Sequence, residues 1–229
     1  MNSEKNNEKK NIPYIKTTLR AHIIEVPEVI RKASGMVILG KRIKSLIFTT
    51  DVALIKNTNA DAVMSVYPFT PQPIITQSLV NASDVPVFCG VGGGTTTGKR
   101  FINLALDAEF KGAIAVVLNS PTKNELIEGV RETIDIPIVV TIVSEFEDFE
   151  ARIKAGTTIF NVSGAKDTAK IVRKIRSLYP EFLIIATGGP TDESIMETIE
   201  AGANAISYTP PSNTQIMKTL MDKYREQLL

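Results

Sequence analysis

Two carboxylates, two asparagines, one lysine and a few glycines are the residues of this 229-residue chain whose types and positions could do chemistry. Asp51 and Glu145 follow the β-rich runs SLIFTTD and PIVVTIVS. A pair of carboxylates could exchange protons or hold a divalent cation, because both tasks need oxygen acceptors with a tunable pKa. Each could instead cap the helix that follows it, DVALIKN or FEDFEARI, by accepting a backbone N–H bond. Asn119 and Asn161 stand in the runs AIAVVLNS and TIFNVSG, where amides could orient polar groups of a ligand.

The stretch VGGGTTTGKR, residues 91–100, contains Gly93-x-x-x-x-Gly98-Lys99, the pattern of a loop that cradles a nucleoside triphosphate. Position 100 is arginine where the cradle needs a magnesium-binding Ser or Thr, and no later run ends in an aspartate suited to that ion. We therefore read the stretch as a flexible lid, with Lys99 as its anion-facing residue. Glycines after later runs carry a sharper signal. Gly164 in NVSGAK and the pair Gly188-Gly189 in ATGGP would let backbone N–H groups approach an oxyanion, with the next helix adding its positive end, although tight turns alone could also require them. Thr209, after the last run, could complete such an anchor.

Other chemistries are excluded or disfavoured by residue type. No run ends in lysine, which removes the usual Schiff-base nucleophile. Cys89 is the only cysteine, so neither an internal disulfide nor a cysteine-built zinc site is possible, and it reads as a packed thiol. His22 is the only histidine and lies upstream of the repeating part, which excludes a histidine-ligated metal and suggests a surface or packing role.

The elements that must position these residues are legible as a rhythm. Eight β-rich runs start near residues 46, 62, 86, 113, 137, 158, 182 and 205, and each is followed by an amphipathic stretch. Most runs are almost continuously apolar, as parallel strands covered on both faces should be. Gly112, Gly156 and Gly202 precede the fourth, sixth and eighth runs as helix C-caps, whereas DVP and DIP precede the third and fifth. A βαβα unit repeated four times predicts a closed (β/α)8 TIM barrel in one α/β domain. The alternative, an open doubly wound sheet, should show a change of pattern at a switch point, and none is present. Upstream, VPEVIRKASGMV predicts a short helix and link closing the bottom of the barrel, with Val29 and Ile30 on its apolar side. Residues 1–20 read as a flexible leader and 21–229 as the barrel.

Active sites of this fold lie at the C-terminal ends of the strands, so the candidates above meet at one mouth, rich in neutral hydrogen-bonding groups and poor in charge. A formal net charge of +1 gives no general attraction to nucleic acid or an anionic membrane. The polar opening MNSEKNNEKKN is no secretory signal and no run reaches membrane-spanning length, so a cytoplasmic protein is expected.

The segment IIATGGPTDESIMETIEAGANAISYT resembles the seventh and eighth units of phosphate-binding TIM barrels, a group that includes ketodeoxyphosphogluconate-type aldolases, thiamine phosphate synthase and flavin-binding barrel enzymes. From VPEVIRKASG onward the chain also resembles a bacterial family of single-domain barrels labelled loosely as hydrolases, whose reaction is not established. The resemblance implies that Gly188 and Gly189, with Gly164 and Thr209, anchor a phosphate. Two departures matter: Asn161 is the nearest residue to the position of the aldolase lysine, and Pro210 and Pro211 offer no N–H donors. The expectation is a barrel that binds a small phosphorylated metabolite and works as a lyase or isomerase without a Schiff base. An FMN-binding oxidoreductase using the same anchor and a non-catalytic metabolite-binding protein are the alternatives. Magnesium and homo-oligomerisation are left open.

Overall fold

The computed structural model describes residues 13, 15, 17 and 23–226; most of the leader, and His22, lie outside the described residues. After a single-turn 3-10 helix, Glu28–Lys32, the chain forms an antiparallel hairpin of β1 (Met36–Ile38) and β2 (Lys41–Ile43). Strands and helices then alternate: β3 (Ser45–Phe48), α1 (Val52–Lys56), β4 (Ala62–Ser65), α2 (Pro73–Ala82), β5 (Val87–Gly92), α3 (Gly98–Phe110), β6 (Ala115–Leu118) and α4 (Asn124–Arg131). The second half continues as β7 (Ile138–Ile142), α5 (Phe149–Ala155), β8 (Ile159–Val162), α6 (Thr168–Leu178), β9 (Leu183–Thr187), α7 (Asp192–Glu200), β10 (Ala205–Tyr208) and α8 (Asn213–Glu226). Strands β3 to β10 are parallel neighbours in chain order, and β10 closes on β3 with Ser207 opposite Leu46. The structure is therefore the closed (β/α)8 barrel, not the open sheet.

The signals between the strands act as their chemistry requires. Gly156 follows α5 with φ +119°, a left-handed conformation in which it caps the helix and donates to the Ile153 carbonyl. Pro86 and Pro137 stand just before β5 and β7, where no ladder donor is needed, and their carbonyls accept from Val63 and Val116.

Side chains alternate between two apolar layers, as the pleat dictates. Outward-facing Ile47, Val63, Val116, Val140, Phe160 and Ile184 pack beneath the helices. Inward-facing Leu46, Met64, Phe88, Val117, Val139 and Ile185 fill the barrel together with Met36, Ile38 and Ile43 of the hairpin. The helical turn expected near Val29 and Ile30 exists, but Ile30 is buried in the outer layer. The residues that reach the barrel interior come from the hairpin, which forms the plug because three of its six strand residues are buried and apolar. Among the described residues α8 buries none, and Met217, Met221 and Tyr224 form an exposed stripe on it. No helix among the described residues is long and apolar enough to cross a membrane.

Candidate active site

Two residues beyond the filled positions, the inward face turns polar on five of the eight strands. The alternation that places Val117, Val139, Ile159, Ile185 and Ala205 inside also brings Asn119, Thr141, Asn161, Thr187 and Ser207 to the mouth, beside Phe48 and Val66. Asn161 is the best defined. It is 8% exposed, its Nδ2 donates to Thr141 Oγ1 at 3.3 Å, and its Oδ1 is buried with no partner. A buried acceptor left unpaired costs about 1–3 kcal/mol; Glu147 Oε2 and Thr157 Oγ1 are likewise unpaired, and of the three only Asn161 stands on the inward face of a strand end. Asn119 is half-buried; its backbone N–H donates to the Gly92 carbonyl at 2.8 Å, and its side-chain amide makes no hydrogen bond among the described residues.

The two expected carboxylates separate. Asp51 caps α1, its Oδ1 accepting from Ala53 N at 2.8 Å and Leu54 N at 3.3 Å, which leaves Oδ2 outside the cap. Glu145 neither caps α5 nor belongs to the mouth layer: its Oε1 accepts from Lys170 Nζ of α6 at 2.5 Å, and Asp148 is the α5 cap, accepting from Ala151 N at 2.9 Å. The carboxylate that the sequence did not single out is Glu147. Its Oε1 accepts from Val143 N at 2.9 Å, and its Oε2 lies 3.7 Å from Arg152, whose guanidinium also holds the Ser120 and Thr122 carbonyls. This pair knits the loops after β6 and β7 together.

The third loop is more firmly held than a free lid. Gly92 and Gly93 both have positive φ, and a Cβ on Gly93 would collide with Thr122 of the next loop. Thr96 is buried, Gly94 and Thr95 are exposed, and Lys99 is exposed in the first turn of α3. Between this loop and residues Tyr67–Pro71 lies a cavity of about 80 Å³, reached by Asn119. Cys89 faces the outer layer near Ser65, and burial pushes its thiol up to about 11, as expected of a packed and inert sulfhydryl.

A larger cavity, about 660 Å³, opens over β9 and β10 and is lined by Thr187, Gly189, Asp192, Ser207, Thr209 and Gln215 among others. It lies where the phosphate anchor was expected, but the anchor's donors are partly engaged. Gly164 N donates to Thr168 Oγ1 at 3.1 Å, and Gly188 N to the Ser207 carbonyl at 3.3 Å. Gly188 is glycine for packing, since a Cβ there would meet Ile206 at 2.7 Å and Ile195 at 2.8 Å. Gly189, at φ +79°, makes no amide hydrogen bond among the described residues, and Thr209 is exposed on the cavity wall. Ser207, hidden in the run AISYTPP behind its more conspicuous Tyr208 and Thr209, could have been found by counting alternate residues from Ala205.

Among the described residues no group of three or more His, Cys, Asp or Glu side chains lies together, so no all-side-chain metal cage is present; magnesium, which keeps several waters and binds through one or two carboxylates, stays open, and no step is routed through it.

No family model matches the chain, and neither does any curated protein. Solved structures do. A protein from Burkholderia cenocepacia J2315, provisionally named a phosphonomutase, is 17% identical with a TM-score of 0.62, over 80% of this chain and 92% of that one. A phosphonopyruvate hydrolase in complex with oxalate and Mg++ is 10% identical with a TM-score of 0.59, over 81% of each chain. A 2,3-dimethylmalate lyase, described as a member of the PEP mutase/isocitrate lyase superfamily, is 10% identical with a TM-score of 0.61, over 87% of this chain and 84% of that one. At these identities the likeness is one of architecture: the chain has the barrel fold that these three enzymes share.

Proposed function

We propose that the protein is an enzyme that takes a small metabolite into the barrel mouth and carries out a lyase or isomerase-type reaction without a Schiff base. The observation that carries this reading is the unpaired Oδ1 of Asn161, buried at the strand ends where such barrels do their chemistry. That oxygen would accept from a ligand hydroxyl or amine, while the open amide of Asn119 would donate to a ligand carbonyl and stabilise charge developing on its oxygen. Asp51, with Oδ2 outside the cap, would take a proton from one ligand atom and return it to another, or to the departing fragment. A phosphoryl group, where a metabolite carries one, would reach the Gly189 amide and Thr209 in the cavity over β9 and β10. A mutase, a hydrolase and a lyase among structures of similar fold support an enzymatic role.

The test is a turnover screen of the purified chain with hydroxy and keto acids, hydroxyaldehydes and sugars, each with its phosphate ester, followed by Asp51→Asn on any substrate found. Asparagine caps a helix as well as aspartate does, so the melting temperature should hold while turnover falls by about 10²–10⁴-fold. Unchanged turnover in Asp51→Asn would remove Asp51 from the mechanism. Ligand binding with no turnover across the screen would favour a binding protein, and a yellow preparation that releases FMN would favour an oxidoreductase.

A further inference from the structure

We infer that the mouth takes a neutral, hydroxyl-bearing compound, a polyol or hydroxycarbonyl, in preference to its phosphate ester; the inference rests on the mouth being the substrate site. Its first ground is the lining. Asn119, Thr141, Asn161, Thr187 and Ser207 are all uncharged; among the described residues no Lys, Arg or His lines the cavity reached by Asn119 or the one over β9 and β10, whereas Lys123 and Arg152 line a separate cavity between the loops after β6 and β7. Three nearby basic groups are already held, Arg152 of α5 by Glu147 and two carbonyls, Lys170 of α6 by Glu145, and Lys174 of α6 by the Glu145 carbonyl, while Lys123 is exposed at the end of the loop after β6.

The second ground is the supply of amide donors over β9 and β10, where an anion would have to sit. Pro190, Pro210 and Pro211 have no N–H. Thr191 N donates to Ser194 Oγ and Ser194 N to Thr191 Oγ1 in a capping box, while Ser212 N donates to Gln215 Oε1. The first turn of α7, whose positive end would favour an anion, instead carries Asp192 and Glu193, and Asp192 lines the cavity. The hydrogen bond of Glu193 to its own amide, then that from Thr191, hold its carboxyl below the usual range, so it is charged at neutral pH. A phosphate dianion here would meet the Asp192 carboxylate and no cation, with Glu193 adding negative charge on the same helical turn, and an ionised group withdrawn from water without a partner is strongly disfavoured.

Hydroxyl groups fit the same lining from both sides. In the cavity over β9 and β10 a ligand O–H can donate to Asp192 and its oxygen can accept from Thr187, Ser207 or Thr209, and a hydroxyl that enters between the strand ends can donate to Asn161 Oδ1. Each bond replaces one made to water, and the one to Asn161 also satisfies an acceptor that the folded chain leaves bare.

The test is isothermal titration of the full chain with matched probes: dihydroxyacetone, glyceraldehyde and ribose, each against its monophosphate ester, together with inorganic phosphate. At least one neutral probe should bind, its ester should bind no more tightly, and Asn161→Leu should weaken the neutral probe by about tenfold. An ester that binds about tenfold more tightly than its parent, or displacement of a probe by inorganic phosphate, would overturn the inference yet leave the mouth as the substrate site. Binding that Asn161→Leu leaves untouched, or no binding by any probe, would count against the mouth itself and so against both readings.

Discussion

The two ends of this barrel are built from the same strands and do opposite things. At the lower end Leu46, Met64, Phe88 and Val117 meet Met36, Ile38 and Ile43 of the hairpin, and every one of these side chains is 6% exposed or less. At the upper end, one alternation further along, the strands present Asn119, Thr141, Asn161, Thr187 and Ser207, and one of these amides keeps a buried oxygen with no partner. The lower end is closed by apolar packing and gains stability from it. The upper end presents a polar surface with one unpaired acceptor, the arrangement that the proposed site would need on a rigid scaffold. The comparison teaches that a residue's height along the strand, more than its type, separates packing from chemistry here.

The sharpest break in that comparison is a cavity at the lower end. Phe88 is fully buried in the barrel interior, and Phe88→Ala should cost about 3–5 kcal/mol, read from chemical denaturation, while the mouth keeps its geometry in the protein that remains folded. A cost below about 1 kcal/mol would mean that the interior is not packed as a continuous layer.

Cys89 tests the outer layer next, because it stands within β5, one residue before Gly90, and faces away from the mouth. Its folded pKa is raised from 9.0 to about 11, so the native state holds the thiol proton more tightly than the unfolded state does. The resulting stability is fully present below about pH 9 and is lost as pH rises through about 11. Two units correspond to roughly 2–3 kcal/mol at the alkaline end. Melting curves of the parent and Cys89→Ala across that range should therefore converge with rising pH, and curves that stay parallel would show that the thiol is not buried as described.

The fold was legible in the sequence to the level of each strand, because parallel strands covered on both faces are apolar throughout and the glycine and proline signals between them act locally. The hairpin was not legible, since MVILGKRI is short, mixes buried with exposed residues, and forms a plug only in contact with strands distant in sequence. The placement of the proposed site was half legible. Strand ends are local features, so Asn119, Asn161 and Asp51 could be set at the C-terminal ends of strands from sequence alone, but the direction a loop carboxylate takes depends on its tertiary partner. Nothing near Glu145 in sequence announces Lys170, 25 residues away, and nothing near Gly188 announces that Ile195 and Ile206 close over it.

The smallest expected effect separates the two ends most cleanly. Leucine has nearly the shape of asparagine and no polar atoms, so Asn161→Leu removes the buried unpaired oxygen while losing one 3.3 Å bond to Thr141. If a bound water pairs Oδ1, loss of its bonds would destabilise the chain by about 1 kcal/mol or more. If Oδ1 is left bare for a ligand, relief of the unpaired acceptor offsets the lost bond, and stability should stay within about 0.5 kcal/mol of the parent or rise above it by about 1. Phe160, the next residue back, points the other way and packs between Phe149 and Phe182 with ring centroids 5.9 and 4.5 Å away. Phe160→Ala should destabilise by about 3–5 kcal/mol, so the two variants side by side read the pleat directly. Loss of stability in both would mean that a bound water already pairs Oδ1, and a loss confined to Phe160 would mark position 161 as part of the site.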